Sequence, residues 1–118
     1  MSVQVDVWLR GSDVATTATL ERITRPPESW DDDDVRVVLE EMLRTMHRLK
    51  HPSASECPIA LRGLSWIVNA YDEGGVVIAI EITLGAAIAG PFNIDKAALE
   101  TMIARVLAHD PAGSSTIH

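Results

Sequence analysis

Val35, Val38, Leu39, Met42, Leu43, Met46 and Leu49 recur at the spacing i, i+3, i+4, i+7, i+8, i+11, i+14. That spacing draws one apolar stripe along an α-helix. The opposite side carries Arg36, Glu40, Glu41, Arg44, His47 and Arg48, with Glu40 four residues ahead of Arg44, the favourable order for an ion pair. Pro52 ends the helix. A one-sided helix must bury its stripe against another layer, so the rest of the chain has to supply that layer.

The flanking segments supply it with a different period. In SVQVDVWLR, residues 2–10, Val3, Val5, Val7 and Leu9 share one face, and Gln4, Asp6, Trp8 and Arg10 share the other. This is the pattern of a half-buried strand. Gly11-Ser12-Asp13 makes a turn, and the β-branched VATTATLERI that follows predicts a second strand paired as a hairpin, stopped at Pro26-Pro27. IALRGLSWIVNAY, residues 59–71, and GVVIAIEITL, residues 75–84, predict two long strands across Asp72-Glu73-Gly74-Gly75. Val76, Ile78, Ile80, Ile82 and Leu84 form one apolar face of the latter strand. Its other face starts apolar with Val77 and Ala79 and turns polar at Glu81 and Thr83. AAIAG predicts a short last strand. Ala98, Leu99, Met102, Ile103, Val106 and Leu107 mark a second helix, with Asn93 as the expected N-cap and Asp95 in its first turn.

The order β-β-α-β-β-(β)-α predicts an α+β domain over residues 1–110, with residues 111–118 a frayed tail. Its core is one mainly antiparallel sheet of four to five strands, with both helices on one face. The length of 118 residues suits a single domain. A single cysteine, Cys57, excludes an internal disulfide framework and fits a reducing compartment. The N-terminus lacks a basic segment followed by an apolar run, and no apolar run reaches bilayer-spanning length. A cytoplasmic protein without membrane contact is the expectation.

The net charge is −7, of which Asp31, Asp32, Asp33 and Asp34 supply −4, leaving −3 for the rest. With ten basic residues in no dominant patch, nucleic acid is not an expected partner. The run SWDDDD reads first as a helix start: Ser29 as N-cap, Asp32 at the capping-box position, and Asp31–Asp33 in a first turn that favours anions. His47, Arg48, Lys50 and His51 match it at the other end. An acidic patch facing a partner is compatible with that role. A calcium loop starting at Asp31 fails, because its sixth and twelfth positions hold Arg36 and Met42 instead of glycine and glutamate. His47 and His51 have metal-ligand spacing but no third ligand motif, and Arg48 and Lys50 stand between them. No metal and no cofactor are expected. Phosphate loops and a serine nucleophile elbow are absent, and Cys57 with His51 lacks an oxyanion motif, so no catalytic residue is assigned.

The tryptophans point to recognition. Trp8 lies off the valine face with Asp6 and Arg10, and Trp66 lies in register with Arg62 and Leu64, with Glu81 on the neighbouring strand. If these faces coincide, the uncovered side of the sheet carries two indoles among charged groups, the composition of a binding patch. The alternative is that residues 11–30, or Trp30 with Pro26 and Pro27, fold over that side. The leading expectation is a non-enzymatic module that binds another protein, a basic one by charge, with homodimerisation as a variant. Its partner-binding residues would be Trp8, Arg10, Asp6, Arg62, Trp66, Glu81 and Asp31–Asp34. Immunity-type inhibitors, adaptors and secretion chaperones share this size and charge, and no motif assigns the chain to any of them. The rival is a small-molecule binder or enzyme with a pocket between sheet and helices, using Cys57, His51, Asn69, Tyr71 and Glu81.

Overall fold

A computed structural model of the chain describes residues 3–20, 23–51, 64–71 and 74–108. Its elements are β1 (Val3–Leu9), β2 (Thr16–Leu20), a single 3-10 turn (Pro27–Ser29), α1 (Asp32–Lys50), β3 (Ser65–Ala70), β4 (Val76–Ile82), β5 (Gly85–Phe92) and α2 (Lys96–Ala108). The five strands form one antiparallel sheet in the order β2-β1-β5-β4-β3. The sequence-derived α+β class, with strands in hairpins and two helices, is the observed one.

The last strand is longer and more central than AAIAG suggests. It runs through Pro91 to Phe92 and joins the N-terminal hairpin to the β3-β4 hairpin, pairing Val5 with Ala89 and Ile80 with Ala87. Small side chains suit that position. Ala87 and Ala89 are fully buried beneath the helices, where α1 packs on β5 and β1. Gly85 is needed for a separate reason: a Cβ there would collide with the carbonyl oxygen of Trp8, so only glycine lets β5 approach β1 at this corner.

One side of the sheet meets the helices. Val3, Val5 and Val7 of β1, Val68 of β3, and Val76, Ile78 and Ile80 of β4 pack there against Val35, Val38, Leu39, Met42, Leu43 and Met46 of α1. Leu99, Met102, Ile103 and Val106 of α2 complete the core. The helices also touch each other, so they form one layer. Trp30 caps this layer at 7% exposure. Its ring lies 4.8 Å from that of Phe92, centroid to centroid, and its indole N–H donates to the Arg25 carbonyl at 3.0 Å. Trp30 therefore belongs to the helix-side core. The segment before α1 does not fold over the other side of the sheet.

The buried face of α1 is broader than its stripe. Glu41, expected on the solvent side, is 2% exposed, and Thr45 is buried beside it. Glu41 accepts a hydrogen bond from the Arg44 guanidinium, replacing the expected Glu40–Arg44 pairing. A polar side chain at this depth needs such a partner, because burial removes its bonds to water.

Both helix starts lie beyond the expected caps. Pro27–Ser29 forms the 3-10 turn and Trp30 is extended, so α1 begins after Asp31 instead of at Ser29. Asp31 accepts from the Asp34 N–H and Asp34 accepts from the Asp31 N–H, both at 3.0 Å, forming a capping box two residues later than expected. Asp95, not Asn93, caps α2: its carboxylate accepts from the Ala98 N–H at 3.0 Å. Asn93 donates instead to Glu28.

Candidate functional site

The pairing registers place side chains on the far side of the sheet in rows. One row runs Trp8, Ala86, Glu81, Ser65 across β1, β5, β4 and β3. The next runs Thr17, Asp6, Ile88, Ala79, Ile67, from β2 across all five strands. Gln4, Val77 and Asn69 continue the same face toward the other end of the strands. Ile67 and Ile88 are 52% and 37% exposed, while Trp8, Val77, Ala79 and Ala86 are half-buried. Among the described residues no helix or loop covers this face. Its centre is apolar, and its margins are Thr, Gln, Ser and Asn.

Charge on the face is sparse. Asp6 accepts a hydrogen bond from the Thr17 hydroxyl at 2.7 Å, and Glu81 stands exposed in the Trp8 row. Arg10, at the end of β1, donates from Nε to the Thr83 carbonyl at 3.0 Å, while its backbone N–H bonds Leu84. Arg10 thus ties the β4-β5 turn to β1. Because Ala79 and Ala86 are short, a hollow of about 330 Å³ opens between Glu81, Ile88, Ile67 and Ser65. The bulky Trp8 stands beside it, across Ala86 in the same row.

The expected patch is therefore redrawn. Trp66 pairs with Ile80, whose side chain is in the core, and packs against that core from the helix side. The two tryptophans lie on opposite faces of the sheet and make no common surface. Leu64 shares the helix side with Trp66. Arg62, like Cys57, falls outside the described residues. In place of Trp66 and Arg62 the open face holds Ile67, Ile88, Ala79 and Ala86. Asp6, Trp8 and Glu81 are on it as expected.

Asp31–Asp34 stand in the helix layer, away from that face, and Asp31, Asp32 and Asp34 are engaged locally. Arg25 reaches Asp31 at 3.2 Å and Asp34 at 3.3 Å. Arg105 of α2 makes two hydrogen bonds to Asp32, each 2.8 Å, which clamp the start of α1 to α2 and raise the Arg105 pKa. The Asp34 N–H, assisted by the Asp34 side chain and Arg25, holds the Asp31 carboxyl below its ordinary value of 3.8. These are the bonds of a capped and braced helix start.

A second concavity, about 640 Å³, lies between α2 and the segment before α1, lined in part by Glu28, Trp30, Asn93, Asp95, Thr101 and Arg105. Its polar groups hold one another. Glu28 accepts from Asn93, Asp95 caps α2, Thr101 donates to the Ala97 carbonyl, and Arg105 grips Asp32. Of the residues expected to line a pocket between sheet and helices, Asn69 and Glu81 point to the open face. Tyr71 follows β3 exposed, and His51 ends α1, its ring 5.0 Å from that of His47. They do not converge. Among the described residues no group of three or more His, Cys, Asp or Glu could hold a metal ion, and no helix is long and apolar enough to cross a membrane.

Compared with protein-family profiles, curated proteins and solved structures, the chain finds no match among any of them.

Proposed function

We propose that this chain is a protein-binding module that docks a partner on the open face of its sheet. The observation that carries the reading is the pair of rows through Trp8–Ala86 and Ile88–Ala79–Ile67, an apolar centre on the side away from both helices. An aromatic and aliphatic centre with few charges and a polar margin is the anatomy of an interface core and rim. Asp31–Asp34 take no part in it, since they stand at the start of α1 in the helix layer. A sheet face left to water would be expected to carry charged side chains across its middle, whereas here Ile88, Ala79 and Ile67 fill the middle row from β5 to β3 and its one carboxylate, Asp6 on β1, is bonded by Thr17.

The test is a photo-crosslinking amino acid placed at Ile88, with Ala104 on the exposed side of α2 as the control position. Docking through the sheet predicts an adduct from position 88 in the source cell and none from 104. Adducts from 104 alone would reject the reading.

A further inference from the structure

We infer that the occupant of the open face is a second copy of this chain, packed sheet to sheet about a two-fold axis parallel to the strands. The inference rests on the docking reading and adds the partner's identity. The face is complementary to itself. Trp8, the largest side chain on the face, stands on β1, and the hollow walled by Ala79, Ala86 and Glu81 lies over β4 and β5, across the central strand in the same row. An axis running over β5 lays β1 of each copy on β4 of the other. Trp8 of one copy then enters the hollow of the second, and the reciprocal contact follows by symmetry. Its indole N–H is a donor brought to Glu81, an exposed acceptor. Ile88 meets its own counterpart over the axis.

Charge is arranged to permit this. The axis sets Asp6 over Ala79 and Glu81 over Trp8, so no carboxylate faces another. The −4 of Asp31–Asp34 lies in the helix layer, leaving the four acids of each copy on the outside of the pair. An axis perpendicular to the strands would instead stack the middle rows on themselves, Asp6 on Asp6.

The area is sufficient. Five strands about 4.8 Å apart, with three rows of side chains about 6.8 Å apart, span roughly 500 Å² in projection. Side-chain relief raises the accessible area toward the ~800 Å² per partner of a standard interface.

Sedimentation velocity up to about 300 µM, a range in which an interface of this size is measurable, tests the inference with three variants. Trp8→Ala removes the knob, Ala79→Arg fills the hollow from a different strand, and Ala104→Arg alters the helix layer. The wild type and Ala104→Arg are expected to dimerise, and each sheet-face variant, with native circular dichroism, to dissociate at least about tenfold more readily. A dimer unaffected by both sheet-face variants overturns the inference, because another surface then holds it. A wild type that stays monomeric also overturns it. In that case a crosslink from position 88 to a protein of different mass leaves the docking reading standing, and the absence of any crosslink removes both.

Discussion

Ile78 and Ile88 offer one substitution on two faces. Ile78 is opposite Ala89 on the helix side, and Ile88 is opposite Ala79 on the open side, so each isoleucine has an alanine across the same pair of strands. Ile78 is 0% exposed. Ile78→Ala removes three carbons, worth about 2.4 kcal/mol at ~0.8 kcal/mol each. The closed cavity left between sheet and α1 adds to this, giving an expected loss of ~3–4 kcal/mol. Ile88 is already 37% exposed. Scaling the transfer energy to the shielded part gives at most ~1.5 kcal/mol, and with no closed cavity the expected loss is about 1 kcal/mol. The difference of ~2–3 kcal/mol corresponds to about 10 °C in melting temperature for a chain of this size. Urea denaturation at low protein concentration, where self-association does not contribute, measures both. Losses equal to within about 1 kcal/mol would show that Ile88 is as enclosed as Ile78, and the open face would be refuted.

Other consequences follow from the helix layer and the β1-β5 junction. Trp30→Ala should cost ~3–5 kcal/mol by calorimetry or denaturant, because a buried indole, its ring contact with Phe92 and its bond to the Arg25 carbonyl go together. Gly85→Ala should cost at least ~1–3 kcal/mol through backbone displacement at Trp8, whereas Gly11→Ala meets no neighbouring atom and is limited to its positive φ. The depressed pKa of Asp31 means that its carboxylate stabilises the fold above the ordinary value of 3.8. That contribution is lost as the pH falls through the lower folded value, so the wild type and Asp31→Asn should converge in stability below pH 3.8. Parallel curves across that window would contradict the capping box.

The elements were legible where one periodicity ruled. The α1 stripe is buried from Val35 to Met46, and β1 turns Val3, Val5 and Val7 inward and β4 turns Val76, Ile78 and Ile80 inward, as their alternation requires. Local pattern gave out where strands lacked contrast. β5 is five parts alanine and glycine in eight, with a proline near its end, a weak strand signal, and its central place follows from long-range pairing with β1. β3 reads Ser-Trp-Ile-Val-Asn-Ala, with an apolar residue on each side, so its face is ambiguous from its own residues. Counting across the β3-β4 turn from Ala70 opposite Val76 would have set Trp66 against Ile80, on the core side. The same count puts Ile67 outward, which is how the docking face could have been found. Glu41 is not legible from the helix pattern because polarity alone suggests exposure; its burial depends on a partner such as Arg44. The caps moved because Trp30 must be extended to reach Phe92, which delays α1 to Asp32.

The most direct measurement of the open face is the relaxation of isoleucine methyl groups by a soluble gadolinium chelate in a dilute sample. Ile67 and Ile88 should relax strongly, and Ile78, Ile80 and Ile103, enclosed between sheet and helices, should be spared. As the protein is concentrated, Ile88 should become protected while the pattern in the core stays fixed. An Ile88 methyl shielded at every concentration would mean that the face is not available to any partner, and docking through it would be contradicted.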